Sequence, residues 1–224
     1  SLLIGWLMVS FLQGMGGFGV PVAVVAPLLV GLGYAPIQAV AMASIGHGWA
    51  VTFGSLASSF QTLMAVTGLP GEVLAPMAAL LLGIAAVPSG LLVAFIGNGW
   101  KALKRSILPV LVVSLVMGVV QYLLATNGLW TLGATGAAIA GLGVMFGLLR
   151  LPIYRSHESP LEKAGQAGEA GKKSLWLSLF AYELLVVLAF TINLIGPVKS
   201  FLSQVVFTLG FPQTETTFGW VPPA

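Results

Sequence analysis

The chain has 224 residues, of which 58% are hydrophobic and 7% charged, with a formal net charge of +3. Soluble domains carry about 25% charged residues because a folded surface must be solvated, so this composition excludes a water-soluble globular protein and requires a bilayer. Zero cysteines, two histidines and six glutamates with no aspartate exclude disulfides and thiolate metal sites and leave little from which to build any metal centre.

The elements in chain order are those of an all-α, polytopic transmembrane bundle. The first charged residue is Glu72, and 71 uncharged residues exceed the roughly 20 that one span needs. Ser1 to Leu12 is apolar and reads as the end of a helix. Gln13 to Gly19 is a glycine cluster, and Val20 to Leu32 is apolar but short for a crossing. A further apolar run extends from Pro36 to Val66, interrupted at Gly46-His47-Gly48. Short apolar segments broken by Gly and Pro predict discontinuous or re-entrant helices. Val73 to Gly97, Ser106 to Ala125, Leu129 to Leu149 and Ser174 to Gly196 read as regular spans. Pro197 to Phe211 is shorter, carries Lys199, and reads as interfacial or re-entrant.

Charge placement orients this layout. Residues 98–105 form one basic loop, and residues 150–173 form a second, polar one. Two spans separate them, so both face the same side. Together they hold eight of the nine Lys and Arg residues, which makes that side cytoplasmic by the positive-inside rule. The excess positive charge is therefore a topology signal, and no nucleic-acid partner is expected. The chain opens on Ser1 without a basic leader, and we read residues 1–224 as one membrane-embedded domain belonging to a longer protein. Gly143 and Gly147 form a G-x-x-x-G in the span that ends at Leu149, expected to pack within the molecule.

Gly14, Gly16 and Gly19 match the spacing of a dinucleotide fingerprint. That motif needs a strand before it and an acidic residue about 20 positions after it, and neither is present, so no cofactor is expected. Within a membrane the same glycines interrupt a helix that restarts at Pro21, which suits a first helical turn. The N–H groups exposed at such a restart carry positive partial charge and can hold a carboxylate without Arg or Lys.

The run Phe11-Leu12-Gln13-Gly14-Met15-Gly16-Gly17-Phe18-Gly19-Val20-Pro21-Val22-Ala23 resembles the signature of the bacterial L-lactate permease family. Leu28-Leu29-Val30-Gly31-Leu32-Gly33-Tyr34, Pro36 and Phe53-Gly54 continue the likeness in order, to about residue 150. The resemblance implies a secondary carrier of the bacterial inner membrane, coupled to protons, for lactate, glycolate and similar 2-hydroxy acids. The chain departs from the family pattern at Gln13, where Glu is usual, and at Gly46-His47-Gly48-Trp49, where an Asn-x-Ala-Pro type of sequence is usual.

The expected substrate site lies at the two glycine breaks. Gly14, Gly17, Phe18, Gly19 and Pro21 would shape it, and Gln13, Ser44, His47 and Thr52 would supply polar contacts. An amide cannot titrate, so the proton-coupling candidates are His47 and Glu183, ionisable groups placed within apolar runs where such groups are costly. An imidazole titrates near physiological pH. The competing reading of His47 is a neutral ring bonded to a carbonyl exposed by the glycine break. A sodium-coupled carrier for another anion, using carbonyls near 46–54 with Ser55, Ser58 and Ser59, is the alternative. A remote one is an intramembrane hydrolase built on Ser89 and His47. Gln61, Gln121 and Asn193 read as interhelical hydrogen-bonding residues, and His157 as a solvated loop residue.

Overall fold

The computed structural model describes residues 1–16 and 19–150, with the single positions 184, 187, 191, 195 and 197. No strand occurs among the described residues; the architecture is entirely helical. We label the helices α1 (Leu3–Met15, opening as a π-helix over Leu3–Met8), α2 (Val20–Gly31), α3 (Pro36–Gly46), α4 (Ser58–Thr67), α5 (Gly71–Thr126) and α6 (Trp130–Leu149).

The long helix α5 is two arms. Asn98 and Gly99 leave helical geometry, and Gly99 takes φ +68° and ψ −159°, a region open in practice only to glycine. The chain folds back there, so that Gly83 and Gly118 face each other closely: a Cβ on Gly83 would lie 3.2 Å from the Gly118 Cα. Gln121 Nε2 donates across the hairpin to the Ala79 carbonyl at 3.5 Å. Arms 71–97 and 100–126 each rise roughly 40 Å at 1.5 Å per residue, enough to cross a hydrocarbon core of about 30 Å. Expected to be a loop over residues 98–105, the connection contracts to two residues. Helix resumes at Trp100 because Lys, Ala, Leu and Arg are all good helix formers, and glycine alone supplies the reversal. Leu148 and Leu149, ending α6, line one cavity with Lys101 and Arg105, so the two basic stretches start at the same end of the bundle.

Helices α1 and α2 make a re-entrant hairpin from that same end. Leu2 and Leu3 line the cavity that holds Lys101, and Tyr34, just past α2, accepts a hydrogen bond from Asn98 Nδ2 at 3.5 Å. Between these ends, Gly5 lies against Leu29, Met42 and Val93. By helical rise the hairpin tip is about 20 Å inside. Helix α3 descends beside it, and α4 continues to the opposite end. There Phe60 meets Trp130 with ring centroids 5.7 Å apart, and Gly71 abuts Met64 and Trp130. The interruption between α3 and α4 spans residues 47–57, wider than the three-residue break expected.

The core between these helices is apolar and close-packed. Trp6, Trp49, Phe53 and Phe60 are its largest fully buried side chains. Small residues set the helix separations: a Cβ on Gly46 would overlap the Gly5 carbonyl oxygen, and one on Gly141 would lie 2.6 Å from Met117 Sδ. Gly143 and Gly147 do not share this role. A Cβ on either meets nothing within 4 Å among the described residues, and both glycines lie on the exposed side of α6 with respect to those residues. Whatever packs on that motif is not among the described residues.

Candidate functional site

Helix α1 ends because Gly16 turns extended, at φ −95° and ψ 170°. Gly19, at φ +90°, precedes α2, and Pro21 sits in its first turn. Pro21 is buried and Gly19 exposed. The first N–H groups of any helix lack intrahelical acceptors, so α2 begins as a patch of positive partial charge. Gly17 and Phe18, between the two helices, lie outside the described residues.

The second break meets this tip. Residues 48–50 and 55–57 form single 3₁₀ turns. Ser55, Leu56 and Ala57 have φ of 50°, 55° and 61°, three consecutive left-handed residues without a glycine. Each such residue costs roughly 1–2 kcal/mol, and strain of this kind persists only where surroundings hold it. Two contacts do so: the Ser55 hydroxyl donates to the Gly16 carbonyl at 2.6 Å, and Gln61 Nε2 donates to the Leu56 carbonyl at 3.3 Å. Gln61 thus acts locally, five residues along its own segment, rather than between spans. Gly54 permits the approach, since a Cβ there would lie 2.8 Å from the Gln13 carbonyl oxygen and 3.0 Å from Gln13 Cγ.

Gln13 occupies this junction. It is fully buried, and neither its Oε1 nor its Nε2 has a hydrogen-bond partner among the described residues. Leaving a buried polar group unmatched costs about 1–3 kcal/mol, so the amide is held here against its own solvation preference. Gly14 completes the floor against α6: a Cβ there would overlap the Thr135 hydroxyl and lie 2.9 Å from the Thr135 Cα. The Thr135 hydroxyl itself donates to Met15 Sδ at 3.4 Å.

The other expected polar residues are less enclosed than Gln13. Ser44 is exposed, while His47 and Thr52 are half-buried. His47 Nδ1 lies 2.7 Å from the Ala43 carbonyl, so Nδ1–H donates to the last turn of α3 and Nε2 is left as the basic atom. This is the carbonyl-bonded ring weighed in the sequence. Ser89 donates to the carbonyls of Ile45 (3.0 Å) and Gly46 (3.3 Å), not to His47, and the nucleophile of the hydrolase reading is thereby committed to closing the end of α3. Glu183, His157 and Asn193 lie outside the described residues.

Sequence reasoning missed Ser10, Trp49 and Thr135. Ser10 Oγ lies 2.6 Å from the Trp6 carbonyl and 3.1 Å from that of Gly46, and it accepts the Trp49 indole N–H at 2.9 Å. The last two bonds join residues 36 and 39 positions apart, and no local spacing announces them.

Long apolar helices, a re-entrant hairpin and a second interrupted segment meeting its tip define an all-helical membrane protein. Residues 1–217 match the family described as L-lactate permease, and the chain belongs to that family. It is 35% identical over 127 residues to an L-lactate permease of Halalkalibacterium halodurans, covering 55% of this chain and 24% of that protein. It is 38% identical over 123 residues to an L-lactate permease of Bacillus subtilis (55% and 22%). With the glycolate permease GlcA of Escherichia coli it shares 34% identity over 105 residues (47% and 19%). The chain thus matches less than a quarter of the length of these curated relatives. No solved structure matches it.

Proposed function

We propose that the complete protein is a secondary carrier of small 2-hydroxy acid anions, lactate or glycolate, across the bacterial cytoplasmic membrane, with its substrate bound where the α1–α2 tip meets the 47–57 break. The observation that carries this reading is the buried, unmatched amide of Gln13. An amide offers two donors and an acceptor, which suits a carboxylate and the neighbouring hydroxyl of a 2-hydroxy acid. The N-terminal end of α2 adds positive partial charge without an ionised side chain. The names of the relatives in Bacillus subtilis and Escherichia coli, lactate and glycolate permease, supply the substrate class. Alternating access would then be a rearrangement of the re-entrant hairpin against its surroundings. The end carrying Lys101 and Arg105 faces the cytoplasm on this reading.

Proton coupling runs through His47 Nε2 in this proposal, with Glu183 as the second candidate. Uptake of labelled L-lactate and glycolate by the full-length protein in proteoliposomes tests it. An inward proton gradient is expected to stimulate uptake, a protonophore to abolish the stimulation, and His47→Gln to remove the pH dependence while leaving exchange of substrate for substrate. Stimulation by sodium instead would favour the sodium-coupled alternative, for which Ser55 Oγ and the carbonyls of the unwound segment are the available ligands. Failure of both acids to enter under either gradient would sink the substrate assignment.

A further inference from the structure

Just before α4 the chain winds one turn in the opposite hand to the helix it leads into. Gly54, ahead of that turn, has φ −78° and ψ 172°, and Ser58, after it, has φ −56° and ψ −42°. These are the geometries of an N-cap, where glycine is tolerated, and of a residue inside a helix. With residues 55–57 right-handed, α4 would run unbroken from a cap at Gly54. Instead Leu56 (φ 55°, ψ 36°) and Ala57 (φ 61°, ψ 28°) are left-handed together with Ser55. The turn has backbone bonds of its own: the Ala57 N–H donates to the Gly54 carbonyl at 2.9 Å, and the Ser58 N–H to that of Ser55. A right-handed turn offers the same groups equivalent bonds, so backbone bonding does not choose the hand. Residue type opposes the observed one, because a side chain clashes in the left-handed region and Leu and Ala are good helix formers. What favours the observed hand from outside the segment is the Ser55 hydroxyl, which donates at 2.6 Å to the carbonyl of Gly16, where α1 ends.

We propose that residues 55–57 are a two-state hinge. They are left-handed while Ser55 holds Gly16, and right-handed, as a new first turn of α4, once the tip of the α1–α2 hairpin withdraws. The interruption between α3 and α4 then shortens from residues 47–57 to residues 47–54. One hydroxyl thereby ties the position of the hairpin to the length of α4, and a shared two-state element of this kind is what couples two moving parts. The role of the hinge in transport rests on the carrier reading above; the hand of the turn does not.

The test compares Leu56→Gly with Leu56→Ala in the full-length protein, by thermal unfolding in detergent without substrate. Both variants remove the same side chain, which is 37% exposed. At a left-handed position glycine is free of the strain that alanine keeps, so Leu56→Gly is expected to melt roughly 1–2 °C above Leu56→Ala. Within a right-handed helix the order is the reverse. Adding Ser55→Ala to each variant removes the hydroxyl and is expected to invert the order, with the glycine variant now melting lower. If Ser55→Ala does not fold, Ser55→Cys takes its place, its thiol being a weak donor. Alanine above glycine in the presence of Ser55 would overturn the inference, by showing a right-handed turn. Glycine above alanine after the hydroxyl is gone would overturn it too, by showing that Gly16 does not set the hand. A wild type that carries neither lactate nor glycolate would sink the substrate assignment and leave this comparison of melting temperatures unaffected.

Discussion

Gln13 presents a conflict between stability and use that single substitutions can expose. A leucine has nearly the same volume as glutamine and no polar atoms to bury, so Gln13→Leu is expected to raise the thermal stability of the purified protein. The gain should be on the order of 1 kcal/mol, the cost of an unmatched buried polar group, while uptake of 2-hydroxy acid falls at least tenfold. Melting and uptake measured on one preparation check both halves, and a variant that loses stability would show that the amide has a partner in the whole protein. The residue was legible in the sequence as polar and as part of a family-like run. What no sequence shows is that its amide would be fully enclosed and unmatched, because the Gly54 and α6 contacts that enclose it come from 41 or more positions away. Ser10 was overlooked, and Ser89 weighed only as a nucleophile, for a related reason: a serine in an apolar helix looks alike whether it bonds its own turn or closes a distant helix end.

Among the elements, glycine-rich interruptions were readable and glycine-free ones were not. The Gly16–Gly19 break announces itself by composition. The left-handed turn at Ser55–Ala57 does not, since serine, leucine and alanine carry no preference for positive φ; a distant contact with Gly16 and a local one with Gln61 hold it. Residues 98–105 show the converse, with a polar composition suggesting a loop and one glycine sufficient for the reversal. Two glycine substitutions separate these roles. Gly99→Ala is expected to destabilise the purified protein by about 1–3 kcal/mol, since alanine is strained at that backbone geometry, although no atom lies within 4 Å of the new methyl. Gly143→Ala, in a helix interior and equally open among the described residues, should instead stabilise by roughly 0.5–1 kcal/mol. Thermal unfolding of the two variants side by side decides whether backbone geometry or free space governs these sites.

Across the whole molecule, the all-helical class followed from composition alone, and the shared end of the two basic stretches from counting spans. The sequence offered α1 and α2 as discontinuous or re-entrant, and the choice between the two needed three dimensions, because twelve apolar residues can as easily continue a crossing as turn back. The lack of any cysteine makes orientation directly measurable in a background where other cysteines of the full-length protein are replaced. A single cysteine at Lys104 is expected to react with an impermeant maleimide only from the cytoplasmic side, and one at Asn127 only from outside. Labelling of both from one side would refute the antiparallel hairpin as a membrane crossing.

The junction of the two breaks contains no ionised carboxylate or ammonium: the described residues carry no Asp, Glu, Lys or Arg before Glu72. That has an electrical consequence. On the proposed proton-coupled reading, an empty carrier whose moving parts are neutral displaces no charge as it reorients, and one anion travelling with one proton adds none. Work against the membrane voltage, about 2.3 kcal/mol per elementary charge at 100 mV, then vanishes from both halves of the cycle. Lactate accumulation in proteoliposomes should follow the pH difference and ignore a potassium diffusion potential clamped with valinomycin. Current accompanying uptake would mean that charge enters the cycle from elsewhere in the chain, with Glu183 the first residue to neutralise.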